Sequence, residues 1–203
     1  MEWRDQGSLL TVQRFGESSA IIDVFTEKHG RHAGIVRGGA SRKLRPILQP
    51  GSLLDVTWHA RLEEHLGTFR PEPLSGRAAL VLADRTALAA LNAICGLLKF
   101  SLPEREVHPR LFAATEALLD GLSDSHTLAR DYLQWELILL SALGFGLDIG
   151  TCAVTGLDED LAFVSPKTGR AVSRDAAGDW AEKLLPYPDL TSSVGIRNGL
   201  KTT

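Results

Sequence analysis

The sequence predicts an α+β protein in which a small five-stranded β-barrel precedes a bundle of helices. Three observations carry this reading. Short runs rich in β-branched and apolar residues, punctuated by glycine turns, fill residues 8–74. The texture changes at Pro71-Glu72-Pro73. The stretches that follow are rich in Ala and Leu at helical spacing.

The elements follow in order. Ser8–Phe15 and Ser19–Thr26 read as strands split by a Gly16-Glu17 hairpin turn, and Glu27–Gly30 makes a second turn. Arg31–Arg37 is a third strand, and Gly38–Pro46 is a loop opened by Gly38-Gly39. Ser52–Ala60 is a fourth strand, with Leu54, Val56 and Trp58 on one face and Asp55, Thr57 and His59 on the other. His65–Leu74 is the fifth. So short a sheet must hide its edges, which points to a closed or nearly closed barrel. Residues 77–101 predict one helix, with Leu80, Ala83, Ala87, Leu91, Ile94 and Leu98 at helical spacing. Pro109–Leu122 and Thr127–Leu143 predict two more, stopped near Gly121 and at Gly144, and the three form a bundle. Beyond Gly150 the pattern weakens to a hairpin over 163–173 and a short helix over 174–185. The last residues, SSVGIRNGLKTT, show no clear element.

Composition narrows the function classes. The 203 residues are 44% hydrophobic, enough for one large domain or two small ones. The formal net charge is −3, but its distribution is uneven. Residues 1–75 hold ten Lys or Arg against nine Asp or Glu; the remainder holds twelve against sixteen. Two distant cysteines, Cys95 in an apolar helical run and Cys152, make no disulfide framework and fit a reducing cytoplasm. The start, MEWRDQGSLL, lacks the basic and apolar pattern of a signal peptide. The longest apolar stretch, Leu137–Leu147, is too short to span a bilayer. These features predict a soluble cytoplasmic protein with no membrane partner.

The most informative segment is 28–54, which carries Lys28, Arg31, Arg37, Arg42, Lys43 and Arg45 and no acid. Cations on a turn-rich β-surface with acids excluded suit a phosphate backbone. Catalytic constellations are missing: there is no Gly-x-Ser-x-Gly, no phosphate-binding P-loop and no His-Glu-x-x-His. His29 and His32 lack a third ligand and read as polar residues beside a hairpin. Glu63 and Glu64, being adjacent, point apart. Gly34, Gly38 and Gly39 serve either phosphate approach or strand curvature and a tight turn. Trp58 reads as core and Phe15 as exposed, but the aromatics as a group suit a core better than a stacking platform. One thiol at Cys152, with Thr155 where a partner is needed and no thiol in the 163–173 hairpin, cannot hold zinc.

FGESSAIIDVFTEKHGR, VRGGASRK and LQPGSLLDV, together with LQWELILLSALGFGLDIGTCAVTG at 133–156, resemble the RecO family of bacterial recombination mediators, in the family's order along nearly the whole chain. The resemblance implies an OB-fold barrel over 1–75, a helical domain over 76–148 and a small C-terminal lobe over 149–203. It implies a non-enzymatic protein that binds single- and double-stranded DNA, anneals strands and helps load the recombinase in repair. It implies RecR and the acidic C-terminal tail of single-strand-binding protein as partners, and a nucleoid-associated location. The DNA face carries over as Arg31, Arg37, Arg42, Lys43 and Arg45. Leu133, Leu137 and Leu140, with Arg110 and Arg130 as rim charges, are the tail-binding candidates; the same leucines also read as bundle core. Many family members carry a four-cysteine zinc site, of which this chain keeps only Cys152, so neither metal nor cofactor is expected. The family also continues past Gly199–Thr203, so the chain reads as truncated or divergent at its end. The competing reading is an RNA-binding OB module in translation or RNA processing, because barrel shape and basic charge do not separate DNA from RNA.

Overall fold

A single long strand organises the N-terminal half. β1 (Glu2–Phe15) pairs antiparallel with β4 (Leu53–His59) along its first half and with β2 (Ser19–Thr26) along its second. A bulge between Leu9 and Thr11 bends it between the two. β3 (Gly30–Val36) follows β2, and β5 (Thr68–Ser75) pairs antiparallel with β4 and parallel with β3 at Ile35–Thr68. The sheet closes in the order β1-β2-β3-β5-β4, the five-stranded barrel of the OB-fold. Leu9, Ile22, Val24, Val36, Leu54, Val56, Trp58 and Phe69 fill it. The computed structural model describes residues 1–203.

β1 begins six residues before the predicted Ser8. Its early part alternates as a strand should, but with a disguise: Trp3, Asp5 and Gly7 turn inward while Glu2, Arg4 and Gln6 face water. An inward Asp hides the apolar period. Asp5 is buried there because it accepts hydrogen bonds from the Lys28 backbone N–H at 2.8 Å and meets His29 Nδ1 at 3.0 Å.

The predicted helix over 77–101 is two: α1 (Ala78–Val81) and α2 (Arg85–Ser101). Asp84 takes an extended backbone between them and accepts from the N–H groups of Thr86 and Ala87, starting α2 afresh. Ala87, Leu91, Ile94 and Leu98 are buried as their spacing requires, while Leu80 and Ala83 fall before the break and are exposed. α3 (Pro109–Asp120) opens on Pro and is capped by Gly121.

α2 and α3 lie over the outer face of the barrel. Phe25 meets Phe112 edge-on at 5.5 Å, Lys99 Nζ lies 2.8 Å from Asp23, and a Cβ on Gly30 would collide with the Glu106 backbone. The compact units are Met1–Leu128 and Ala129–Thr203. The three predicted helices are split: α2 and α3 belong to the barrel unit, and α4 (Leu128–Ala142), beyond its first residue, to the second.

In the second unit, β6 (Asp148–Cys152), β7 (Leu161–Val164), β8 (Arg170–Ser173) and β9 (Leu185–Pro186) form a sheet of order β6-β8-β7-β9. β7 and β8 are the predicted hairpin. The expected helix over 174–185 stops after one turn, α5 (Arg174–Ala177), where Gly178 takes a positive φ and a 3-10 segment, Gly178–Lys183, follows. The tail does form a helix, α6 (Ser193–Gly199), capped by Ser192 and pressed against Leu133 of α4 at Gly199. Leu133 is fully buried, so it is core.

Candidate nucleic-acid interface

The connection from β3 to β4, residues 37–52, is amphipathic at short range. Leu44 and Ile47 pack on the barrel core and Leu48 joins it. Backbone bonds Arg45 N–H to Ser41 O and Leu48 N–H to Leu44 O hold the coil tight. Arg37, Arg42, Lys43 and Arg45 are left on its wet side, exposed and free of carboxylate partners. The glycines here serve the fold. Gly38 takes φ 71°, and a Cβ on Gly39 would come within 2.7 Å of Ala20 Cβ. A Cβ on Gly34 would meet the Phe69 ring at 2.6 Å.

Arg31 is not part of this surface. It is 8% exposed and faces the helices. Its Nη1 donates to Asp23 at 2.7 Å and to Glu104 at 3.4 Å, and its Nε donates to the Leu102 carbonyl. A guanidinium so paired and so buried holds the helices to β2 and β3 and is out of reach of a phosphate on the surface. Arg77 behaves alike, donating to Asp120 at 2.6 Å, Glu116 at 2.8 Å and Ser8 at 2.9 Å. Burial alone would pull its pKa down, but the Asp120 and Glu116 bonds leave it raised. On the open face of β1, β4 and β5, Arg4 is matched too. Arg4 forks onto Asp55 at 2.9 Å and approaches Glu72 at 3.7 Å, and the Arg4 bond holds the Asp55 carboxyl below its ordinary value.

The outer face of β2 and β3, which OB-folds commonly offer to oligonucleotides, is thus occupied by the chain's own helices. The cations of 37–45 flank two clefts at the barrel rim. One, of about 430 Å³, is lined by Val36, Arg37, Leu44, His59, Thr68, Phe69, Arg70 and Pro71. The other, of about 470 Å³, is lined by Val12, Arg14, Glu17, Ala20, Gly39, Ala40 and Arg45. Arg14, His59 and Arg70 were not singled out from the sequence, since each stands outside the acid-free run. Strand alternation did mark the last two: Trp58 and Phe69 point in, so His59 and Arg70 point out.

The barrel also holds an aromatic cluster. Trp3 stacks on His29 at 4.0 Å and on Trp58 at 5.6 Å, with His32 edge-on to both tryptophans at 5.1 Å. Trp58 and Phe69 are buried, so this is packing rather than a platform for bases. Phe15 is exposed at the tip of the β1–β2 hairpin, as its position in the strand predicts. In the second unit, the donor set does not fit the family's zinc. Cys152 is wholly buried beside Val172 and Ala177, its sulfur accepts from the Ser173 N–H at 3.3 Å, and no group of three His, Cys, Asp or Glu is placed to hold a metal ion. Hydrogen bonds from Ser173 and Thr155 draw the thiol down to about 6. No helix is long and apolar enough to cross a membrane.

Comparison with known proteins points one way. Residues 1–77 match the family described as Recombination protein O N terminal, and residues 82–201 match Recombination protein O C terminal. The chain is 57% identical to DNA repair protein RecO of Ruegeria sp. and 60% identical to that of Cereibacter sphaeroides, in both cases over all of this chain and 87% of the relative. It is 56% identical to DNA repair protein RecO of Roseobacter denitrificans, over 96% of this chain and 81% of the relative.

Proposed function

The chain belongs to the RecO family of DNA repair proteins, and on that premise we propose that it is a non-enzymatic mediator of recombinational repair in the nucleoid-associated cytoplasm. It binds single- and double-stranded DNA through Arg37, Arg42, Lys43 and Arg45, anneals strands, and helps load the recombinase together with RecR and the tail of single-strand-binding protein. One observation carries the DNA face. The buried arginines are matched by carboxylates, whereas these four cations are exposed on one coil without an acid among them. Annealing makes and breaks no covalent bond. It needs two polyanions held close, and unpaired cations on a rigid rim relieve their repulsion by displacing counterions.

The test is the triple variant Arg37→Ala, Arg42→Ala and Lys43→Ala, titrated against labelled single-stranded DNA over a range of salt. The three side chains are exposed, so the fold should persist. Affinity should fall, and the slope of log K against log salt should flatten by about 0.7 per lost single-strand contact. A folded triple variant with unchanged affinity and slope would remove this face from the function. A matched RNA bound more tightly than the DNA would favour the translation or RNA-processing reading instead.

A further inference from the structure

The second unit brings two short turns together around one sulfur. The first, Cys152–Leu157, closes on itself. The Cys152 N–H donates to the Leu157 carbonyl at 2.7 Å and the Gly156 N–H donates to the Cys152 carbonyl at 2.9 Å, with Gly156 at φ 73°. The second turn is the step from β8 into α5. The Ala153 N–H donates to the Ala171 carbonyl at 2.7 Å and ties the two side by side. Cys152 Sγ accepts from the Ser173 N–H at 3.3 Å and makes a hydrogen bond with the Ser173 hydroxyl at 3.5 Å. Thr155, three residues along the first turn, gives its own N–H and hydroxyl to the same sulfur. Ala176, three residues past Ser173 on the second, packs on the apolar cluster that Cys152 forms with Val172 and Ala177.

We propose that this junction is the frame of a metal knuckle kept without the metal. Cys152 and Thr155 on one turn and Ser173 and Ala176 on the other stand at its four corners. Hydrogen bonds to one sulfur, with apolar packing beside it, close the two turns as a zinc ion would. The spacing carries the inference. A structural zinc takes four thiolate or imidazole ligands, often as two pairs with two residues between the members of a pair. Both turns here keep that step, and only the chemistry of three corners differs. Thr155 and Ser173 put a neutral hydroxyl where zinc needs a thiolate, and Ala176 puts a methyl. The hydroxyl of Ser173 and the N–H groups beside it suit a sulfur that has no metal, because they leave it hydrogen-bonded in a buried place. A zinc domain couples its folding to metal binding and is undone by a chelator. The second unit is held by bonds internal to the chain, so it keeps its fold when zinc is scarce.

The experiment compares the full chain as wild type with the variant Thr155→Cys, Ser173→Cys, Ala176→Cys, both under reductant, using cobalt(II) and zinc as probes. Wild type should hold less than about 0.1 zinc per chain, and a chelator should not shift its melting. The variant should bind about one cobalt per chain, with the thiolate charge-transfer band and visible bands of a tetrahedral site, and zinc should displace the cobalt. Stoichiometric zinc in wild type, lost to a chelator together with melting temperature, would overturn the metal-free knuckle. A variant that melts cooperatively and binds no cobalt would overturn the four corners. The milder variant Thr155→Cys, Ser173→Cys changes one exposed side chain and one to a close isostere. It should bind cobalt at least about a hundredfold more tightly than wild type, through three thiolates and water. Equal affinity there, or failure of both variants to fold even with zinc present, would equally remove the frame. None of these outcomes touches the DNA-binding reading, which rests on the other unit.

Discussion

Arginine exists in two conditions in the barrel unit, and the difference is what covers the side chain rather than composition. Arg31 sits opposite Phe25 in the β2–β3 ladder, and both turn toward the helices. Arg37 lies just past the end of β3, where nothing covers it. The letters around them are equally basic, so charge counting groups them, and only knowledge of what covers β3 separates them. Histidine gives a sharper test of what burial does. His32 is buried between Trp3 and Trp58, with Nε2 lacking any partner and Nδ1 3.3 Å from the His29 carbonyl. Burial lowers its pKa below the ordinary 6.5, and Arg105 and His29 lower it further against the opposing pull of that carbonyl and Glu104. The unfolded chain therefore binds a proton that the folded one refuses. Stability should fall as pH drops through 6.5 toward the depressed folded value, and level off below it. His32→Phe removes the titrating group and the orphaned nitrogen together. Urea midpoints at pH 7.5 and 5.5 should differ less for the variant than for wild type; an identical difference would show that His32 accepts its proton in the folded state.

Elements were legible where one period ran unbroken. The inner face Leu54, Val56 and Trp58 is buried as alternation demands. α3 keeps the Pro and Gly that bound it. Legibility failed where a polar residue held an inner position, as Asp5 does in β1, or where packing replaced propensity. α6 contains Gly195 and Gly199 and carries no apolar stripe, yet the first sits against Asp189 and the second against Leu133 and Pro188, too close for any Cβ. The break between α1 and α2 is the informative case, since an Ala- and Leu-rich run conceals it. Asp84 was the available signal: a short acceptor followed two and three residues later by the N–H groups it caps. Asp84→Ala should cost about 1 kcal/mol of stability. Asp84→Asn should cost less, because its amide oxygen still caps. A loss of less than about 0.3 kcal/mol in Asp84→Ala, measured by urea unfolding, would mean that tertiary contacts alone start α2.

At the scale of the whole molecule, the sequence places a boundary after residue 75, and the family matches also part between 77 and 82. The physical unit runs on to Leu128. The reason lies on the outside of the barrel. Cutting after 76 would uncover Phe25, strip Asp23 of Lys99 and Arg31 of Leu102 and Glu104, and leave Ser8 without Glu116 and Arg77. Asp23 and Arg31 would keep each other, but as a pair open to water, where an ion pair contributes little. Gly51, with Leu91 pressed where a Cβ would be, would face water instead. The composition could not disclose this, because the partners are scattered over more than a hundred positions and share no motif. A fragment of residues 1–128 should therefore unfold in one cooperative urea transition and keep the salt-dependent binding of single-stranded DNA assigned to Arg37, Arg42 and Lys43. A fragment of residues 1–76 should show no cooperative transition by circular dichroism, although it contains every strand of the barrel and every cation of the rim. If the shorter fragment folds cooperatively and binds as well as the longer, the helices merely rest on the barrel. The buried Asp23–Arg31–Lys99 cluster would then be a consequence of their docking and not a condition of the fold.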